Sequence, residues 1–182
     1  SPDAQVKSGQ LASAMAMQSY INSANASSCP TASTTAFGFM AAAPAFAQSS
    51  QAVGHITPVV DTDGNIRRVP AVVCYEGQAY PALAVAAIAA ATGAQPALKS
   101  SPGLMQSGQL IDVGGLQIPV DSKGQLRVSY QMPRAGFVSV SAVDVIQGKV
   151  PAHMLKGAWA LVGSTAFGGG DAVPTPQGGA VG

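Results

Sequence analysis

Several groups of residues in this chain have types and spacings that could do chemistry. Asp61-Thr62-Asp63-Gly64-Asn65 spaces side-chain oxygens as a calcium loop does. The sixth position of such a loop needs Gly and here holds Ile66, and Val72 stands where a bidentate glutamate would close the site. The segment therefore reads as a hairpin turn, in which Gly64 takes positive φ and Asp bonds the backbone two residues on. No metal site is expected. Ser164 follows the apolar run Ala158–Val162, as a hydrolase nucleophile follows a central strand. Gly163 directly precedes it, however, so the Gly-x-Ser-x-Gly pattern fails. His55 and His153 could each serve as a base, but their spacing offers no triad.

Two further groups could bind rather than react. Gly163 to Asp171, with Gly168-Gly169-Gly170 inside, could cradle an anion on backbone amides. It lacks both Gly-x-Gly-x-x-Gly and the Lys-Ser/Thr of a nucleotide loop, so a mobile surface loop is the simpler reading. Ligands nevertheless favour the carboxyl ends of strands, which makes Ser164, Thr165 and Asp171 the first positions to inspect. Arg67 and Arg68 alternate along a strand and so point to opposite faces. One is expected to face solvent. The other pairs with Asp61, Asp63 or Asp144, or binds an anionic effector together with Tyr130, and the structural ion pair is favoured. Cys29 and Cys74 have no metal-ligand spacing. A buried free thiol is the first reading for Cys74, in its apolar strand, and a disulfide with Cys29 stays open in an oxidising compartment.

Composition narrows the classes. Hydrophobic residues make up 47 % of the chain and charged residues 9 %, which excludes disorder and allows a sizeable core. A net charge of +1 gives no basic footprint, so nucleic-acid binding is set aside. No apolar run reaches the roughly 18–20 residues that span a bilayer, and no signal peptide opens the chain. It reads as a soluble piece, compatible with excision from a membrane-anchored parent.

The elements that would position these residues follow from pattern. Ser8–Ser19 is predicted as a helix capped by Ser8, Ser27 to Thr35 as loop, and Pro44 as the start of a helix over Ala45–Ala52. His55–Thr57 with Val59-Val60, interrupted by Pro58, form an edge or bulged strand that the Asp61–Gly64 turn returns through Ile66 to Tyr75. After a turn at Glu76–Gln78, Tyr80-Pro81 opens a helix to Thr92, with Gly93 as its stop. That helix is apolar nearly all round, which predicts burial on several faces. Lys99 to Gly108 reads as loop. Leu110–Val113 and Leu116–Val120 flank a Gly114-Gly115 hairpin turn, and Asp121–Gly124 turns into a strand Gln125–Tyr130. Val138–Val140 is a short strand, Ser141 caps a helix through Ile146, Pro151 to Leu155 is a helical turn, and Ala158–Val162 is a central strand. Gly- and Pro-rich loop follows from Ser164.

These landmarks, in this order, resemble one family. Gly54-His55-Ile56, Asp61-x-Asp63-Gly64, Arg67-Arg68-Val69-Pro70, Tyr80-Pro81-Ala82-Leu83-Ala84, Ile118-Pro119-Val120-Asp121, Gly124 and Tyr130 are similar to the middle of the second class of CHASE domains. Ser141-Ala142-x-Asp144-Val145, Gly148-Lys149-Val150-Pro151, Leu155-Lys156-Gly157, Leu161 to Ala166, Asp171 and Thr175-Pro176 resemble its end. The match runs over 54–176, and residues 1–53 resemble the family only around Gln10 to Ala14. The family's opening strand–helix–strand portion is not evident, so the domain, taken as 1–182, reads as incomplete.

The expected fold is α/β, a mixed twisted sheet with helices on both faces. The resemblance implies a non-enzymatic, cofactor-free sensor on the periplasmic or extracellular side of a bacterial membrane receptor. The parent's transmembrane helices would tie it to the membrane, and its output would be a nucleotide cyclase or a sensor kinase. An unknown small-molecule or envelope effector and a homodimer are the implied partners. A protein-interaction domain binding an envelope component is the alternative, and a small-molecule hydrolase is the least favoured.

Overall fold

The computed structural model describes residues 6–11, 29–30, 33–100, 109–132, 136–163, 173–176 and 180–181. It divides into two compact units, residues 1–128 and 129–182. The described residues are mainly sheet, in small pieces with few and short helices, and α/β only loosely. Among the described residues the single expected sheet is replaced by five small ones, parallel in two pairings and antiparallel in the rest.

In the first unit, β1 (Lys7–Ser8) pairs in parallel with β3 (Phe39–Met40), so Ser8 lies in a strand and does not cap a helix. Residues 12–19 of that predicted helix lie outside the described set. The loop expected over 27–35 contains β2 (Thr34–Thr35). Helix α1 (Pro44–Ser49) starts on proline as expected, because φ is preset there and no N–H is needed.

β4 is only Val59–Val60, with a register shift against its partner, as the neighbouring Pro58 suggested. The run predicted as one strand from Ile66 to Tyr75 is two: β5 (Ile66–Pro70) and β6 (Val72–Tyr75). Ala71 is the transfer point, its N–H donating to the Gly124 carbonyl and its own carbonyl accepting from Ala82 N–H. β5 lies between β4 and β11 (Gln125–Arg127), whereas β6 lies between β2 and β7 (Gln78–Pro81). Tyr80 and Pro81 therefore end a strand rather than open a helix. Proline is tolerated there as the last residue of the pairing, and helix α2 begins at Leu83.

α2 (Leu83–Thr92) ends at Gly93 in the left-handed conformation, φ 67°. Only Val85 and Ala86 are buried, and Leu83, Ala84, Ala90 and Ala91 are exposed. One face packs on the sheet, contrary to the burial predicted for several. Gly54 passes so close that a Cβ there would lie 2.5 Å from Leu83 Cα, which no side chain could occupy. β8 (Ala97–Ser100) takes part of the expected loop and pairs with β9 (Gln109–Val113), which pairs in turn with β10 (Leu116–Val120). The β9–β10 turn is Gly114-Gly115, both at positive φ, as predicted.

The core gathers Ala71, Val72, Ala79, Ala82, Val85, Ile111, Val113, Val120 and Leu126, drawn from three sheets and α2. Val85 and Ile111 are wholly inaccessible. Cys74 is not a free thiol. It bonds Cys29 with 5.8 Å between the Cα atoms, because β2 is paired to β6 and returns the preceding segment to that strand.

In the second unit, α3 (Ala142–Ile146) and α4 (Ala152–Leu155) sit where they were predicted. Ser141 caps α3 through its backbone carbonyl, which accepts from Val145 N–H, without a side-chain bond. β12 (Val173–Pro174) pairs with β13 (Ala180–Val181). Val138–Val140 and Ala158–Val162 are not strands, and β11 stops at Arg127, short of Tyr130. No described residue from 136 to 163 is fully buried, and Trp159, Leu161 and Val162 are exposed. Apolar content specified a strand there, but a strand needs an adjacent edge with which to exchange hydrogen bonds.

Candidate functional site: the arginine cluster on β5

The chain holds nine basic and eight acidic residues, and seven of these lie on β5, on β11 and in the two Asp-Gly turns that precede those strands. The turns are built alike. In Asp61–Gly64, Gly64 N–H donates to the Asp61 carbonyl and Asp61 N–H to the Asn65 carbonyl. In Asp121–Gly124, Gly124 N–H donates to the Asp121 carbonyl and Asp121 N–H to the Gln125 carbonyl. The Asp121 carboxylate also accepts from Lys123 N–H and Gln125 N–H, both at 2.9 Å. β5 runs between the strands that these turns begin or end, so both Asp side chains reach its arginines.

Arg67 forks onto Asp63, with Nη1 to Oδ1 at 2.9 Å and Nη2 to Oδ2 at 2.8 Å, and Nη1 also donates to Asp61 Oδ2 at 2.9 Å. Arg68 Nη1 donates to Asp61 Oδ1 at 3.1 Å, and its Nε lies 3.8 Å from Asp121 Oδ2. Alternation sends the two arginines to opposite faces, yet both reach the one Asp61 carboxylate because it stands at the strand end. The Arg67 guanidinium, with help from Asn65, holds the Asp63 carboxyl well below the usual carboxylate range. Asp63 and then Asp61 push Arg67 up in turn. The ion pairs favoured from sequence are thus present, with Asp61 and Asp63 and not with Asp144, which pairs with Lys149 at 3.7 Å.

In the turn that resembles a calcium loop, both Asp63 oxygens face the Arg67 guanidinium. No group of three His, Cys, Asp or Glu among the described residues is arranged to hold a metal. Of the other candidates, Tyr130 belongs to the second unit and Arg67 and Arg68 to the first. Ser164, Thr165 and Asp171 lie outside the described residues. His55 and His153 also fall in different units. Sequence reading passed over Arg127, which the β5–β11 register sets directly opposite Arg68. Strand pairing between residues so far apart leaves no local signal.

The motifs of the resemblance occupy joints of this structure. They provide the close approach at Gly54, the two Asp-Gly turns, the Arg67–Pro70 strand and the β7–α2 junction. Among the described residues no helix is long and apolar enough to cross a membrane. No curated protein and no solved structure matches the chain. The family model of the CHASE2 domain matches residues 2–181, a wider span than the motifs alone delimit. The chain belongs to the CHASE2 family, the extracellular sensory domain of signalling receptors, and is in that capacity a sensor and not a catalyst.

Proposed function

We propose that this domain is the input module of a membrane-bound bacterial receptor whose output is a nucleotide cyclase or a sensor kinase. The family match over residues 2–181 carries the reading. The Cys29–Cys74 disulfide supports the location, since such bonds persist in the periplasm or outside the cell and rarely in the cytosol. The parent's transmembrane helices would connect the domain to its output. An effector that prefers one of two arrangements, within one chain or between two copies, shifts their balance by a coupling of about 1–3 kcal/mol.

The test has two parts. The domain is screened against small metabolites and envelope extracts for a change in thermal midpoint or oligomeric state, and the active compound is then applied to the intact receptor. An effector that alters both the domain and the cyclic-nucleotide or phosphoryl output supports the proposal. Effectors that bind the domain and leave the output unchanged would overturn it. Exposed Phe137, Ile146, Trp159, Leu161 and Val162 favour a second reading, in which the effector is an envelope protein rather than a metabolite.

A further inference from the structure

We propose that Arg127 and Arg68 together bind an oxyanion, the carboxylate or phosphate group of a ligand, on one face of the β4–β5–β11 sheet. Val128 N–H donates to the Arg67 carbonyl and Ala71 N–H to the Gly124 carbonyl, which makes 67/128 and 71/124 hydrogen-bonded pairs. Counting by alternation, Arg68 and Arg127 fall in a non-hydrogen-bonded pair, the kind in which facing side chains stand closest. Like charges placed directly opposite in this way oppose strand pairing. Both residues are exposed and therefore open to a ligand.

The surrounding carboxylates do not resolve the conflict. Asp63 is taken up by both Arg67 nitrogens, and Asp61 is divided between Arg67 and Arg68. Asp121 reaches Arg68 only at 3.8 Å and spends one oxygen on two backbone amides. Among the described residues no carboxylate comes within ion-pair distance of Arg127. An oxyanion between the two guanidiniums would accept from both forks, which suit the planar geometry of carboxylate and phosphate, and would turn a repulsive pair into a bridged one. The site deepens the effector reading and depends on it only for the ligand's biological role.

The experiment uses the 182-residue chain and its Arg127→Gln variant. Melting is measured with inorganic phosphate or succinate replacing chloride at constant ionic strength, and binding is measured to phosphatidylglycerol against phosphatidylcholine vesicles. With chloride alone, the variant should melt no lower than the parent chain, because it loses only a repulsion. Phosphate or succinate should raise the midpoint of the parent chain, and the variant should need roughly tenfold or more anion for the same rise. Vesicle binding that needs both phosphatidylglycerol and Arg127 would instead assign the oxyanion to a lipid headgroup. Equal responses of the two proteins to every anion and vesicle would overturn the site. So would a lower midpoint of Arg127→Gln in chloride, which would make Arg127 a structural residue. Anion binding at Arg127 that leaves the output of the intact receptor unchanged would count against the proposed function and leave the site standing.

Discussion

His55 shows how a single side chain can set the response to acid. Its Nδ1 accepts from Thr57 N–H at 3.2 Å, so the ring proton belongs on Nε2, which is buried and makes no hydrogen bond. Burial pushes the pKa down from 6.5 to about 4, and the Pro70 carbonyl opposes the shift without bonding the ring. The unfolded chain takes up the proton near pH 6.5 and the folded one resists until about 4. The stabilisation from a neutral His55 is thus complete above pH 6.5 and is lost as pH falls towards 4, by about 2 kcal/mol once solvent screening at the partly exposed ring is allowed for. Denaturation at pH 7.5, 6 and 4.5 should show this decline, and His55→Gln should flatten it. An equal decline in the variant would place the acid sensitivity elsewhere. Sequence placed His55 in a strand. Its backbone bonds accordingly, through N–H to the Pro81 carbonyl and carbonyl to Leu83 N–H, but its ring Nε2 has no partner.

Among the elements, the β6–β7 hairpin receives the N-terminal strands. Glu76 in its turn takes φ 47°, a left-handed conformation that costs a side chain about 1 kcal/mol. Its carboxylate accepts from Tyr75 Oη at 2.8 Å and Lys7 Nζ at 3.1 Å, and both hold its pKa below the usual range. Phe39 meets the Tyr75 ring edge-on at 5.4 Å. Beyond these contacts and the two-residue β2–β6 pairing, the segment is fixed by the disulfide, which closes a separation of 45 residues. A loop of that length corresponds to roughly 4 kcal/mol in the chain-entropy account. Cys29→Ser with Cys74→Ser should lower the unfolding free energy by about 2–4 kcal/mol in denaturant titrations. A change below about 1 kcal/mol would show that strand pairing alone suffices. The two cysteines were plain in the sequence. Their pairing depended on the parallel β2–β6 contact, which local patterns do not encode.

At the scale of the whole molecule, the buried hydrophobic residues among those described lie between Ala47 and Leu126. The one-turn helices α3 and α4 are too short to persist on hydrogen bonds alone and bury none of their side chains. Hydrogen exchange should therefore be slowest at Leu110–Val113 in β9 and fast throughout 137–163. Comparable protection in the two segments would mean that the second unit is covered in solution. Ile111→Ala removes a fully buried side chain from the centre of the core and should cost about 2–5 kcal/mol. Urea titration would measure it, and a smaller loss would mean that the sheets close over the cavity.

By itself the sequence determined the family, the two Asp-Gly turns, the Gly114-Gly115 hairpin, α1, α3, α4 and the end of α2 at Gly93. Each is written in a few adjacent residues, through a fixed φ, a missing N–H or a left-handed glycine. Tertiary structure alone decided the division of 66–75 between two sheets, the Cys29–Cys74 bond, the exposure of half of α2 and the facing of Arg68 by Arg127. Those outcomes depend on which distant segment supplies a strand edge or covers a face. A run of apolar residues states how much surface it would bury, and only its neighbours determine whether that surface is buried.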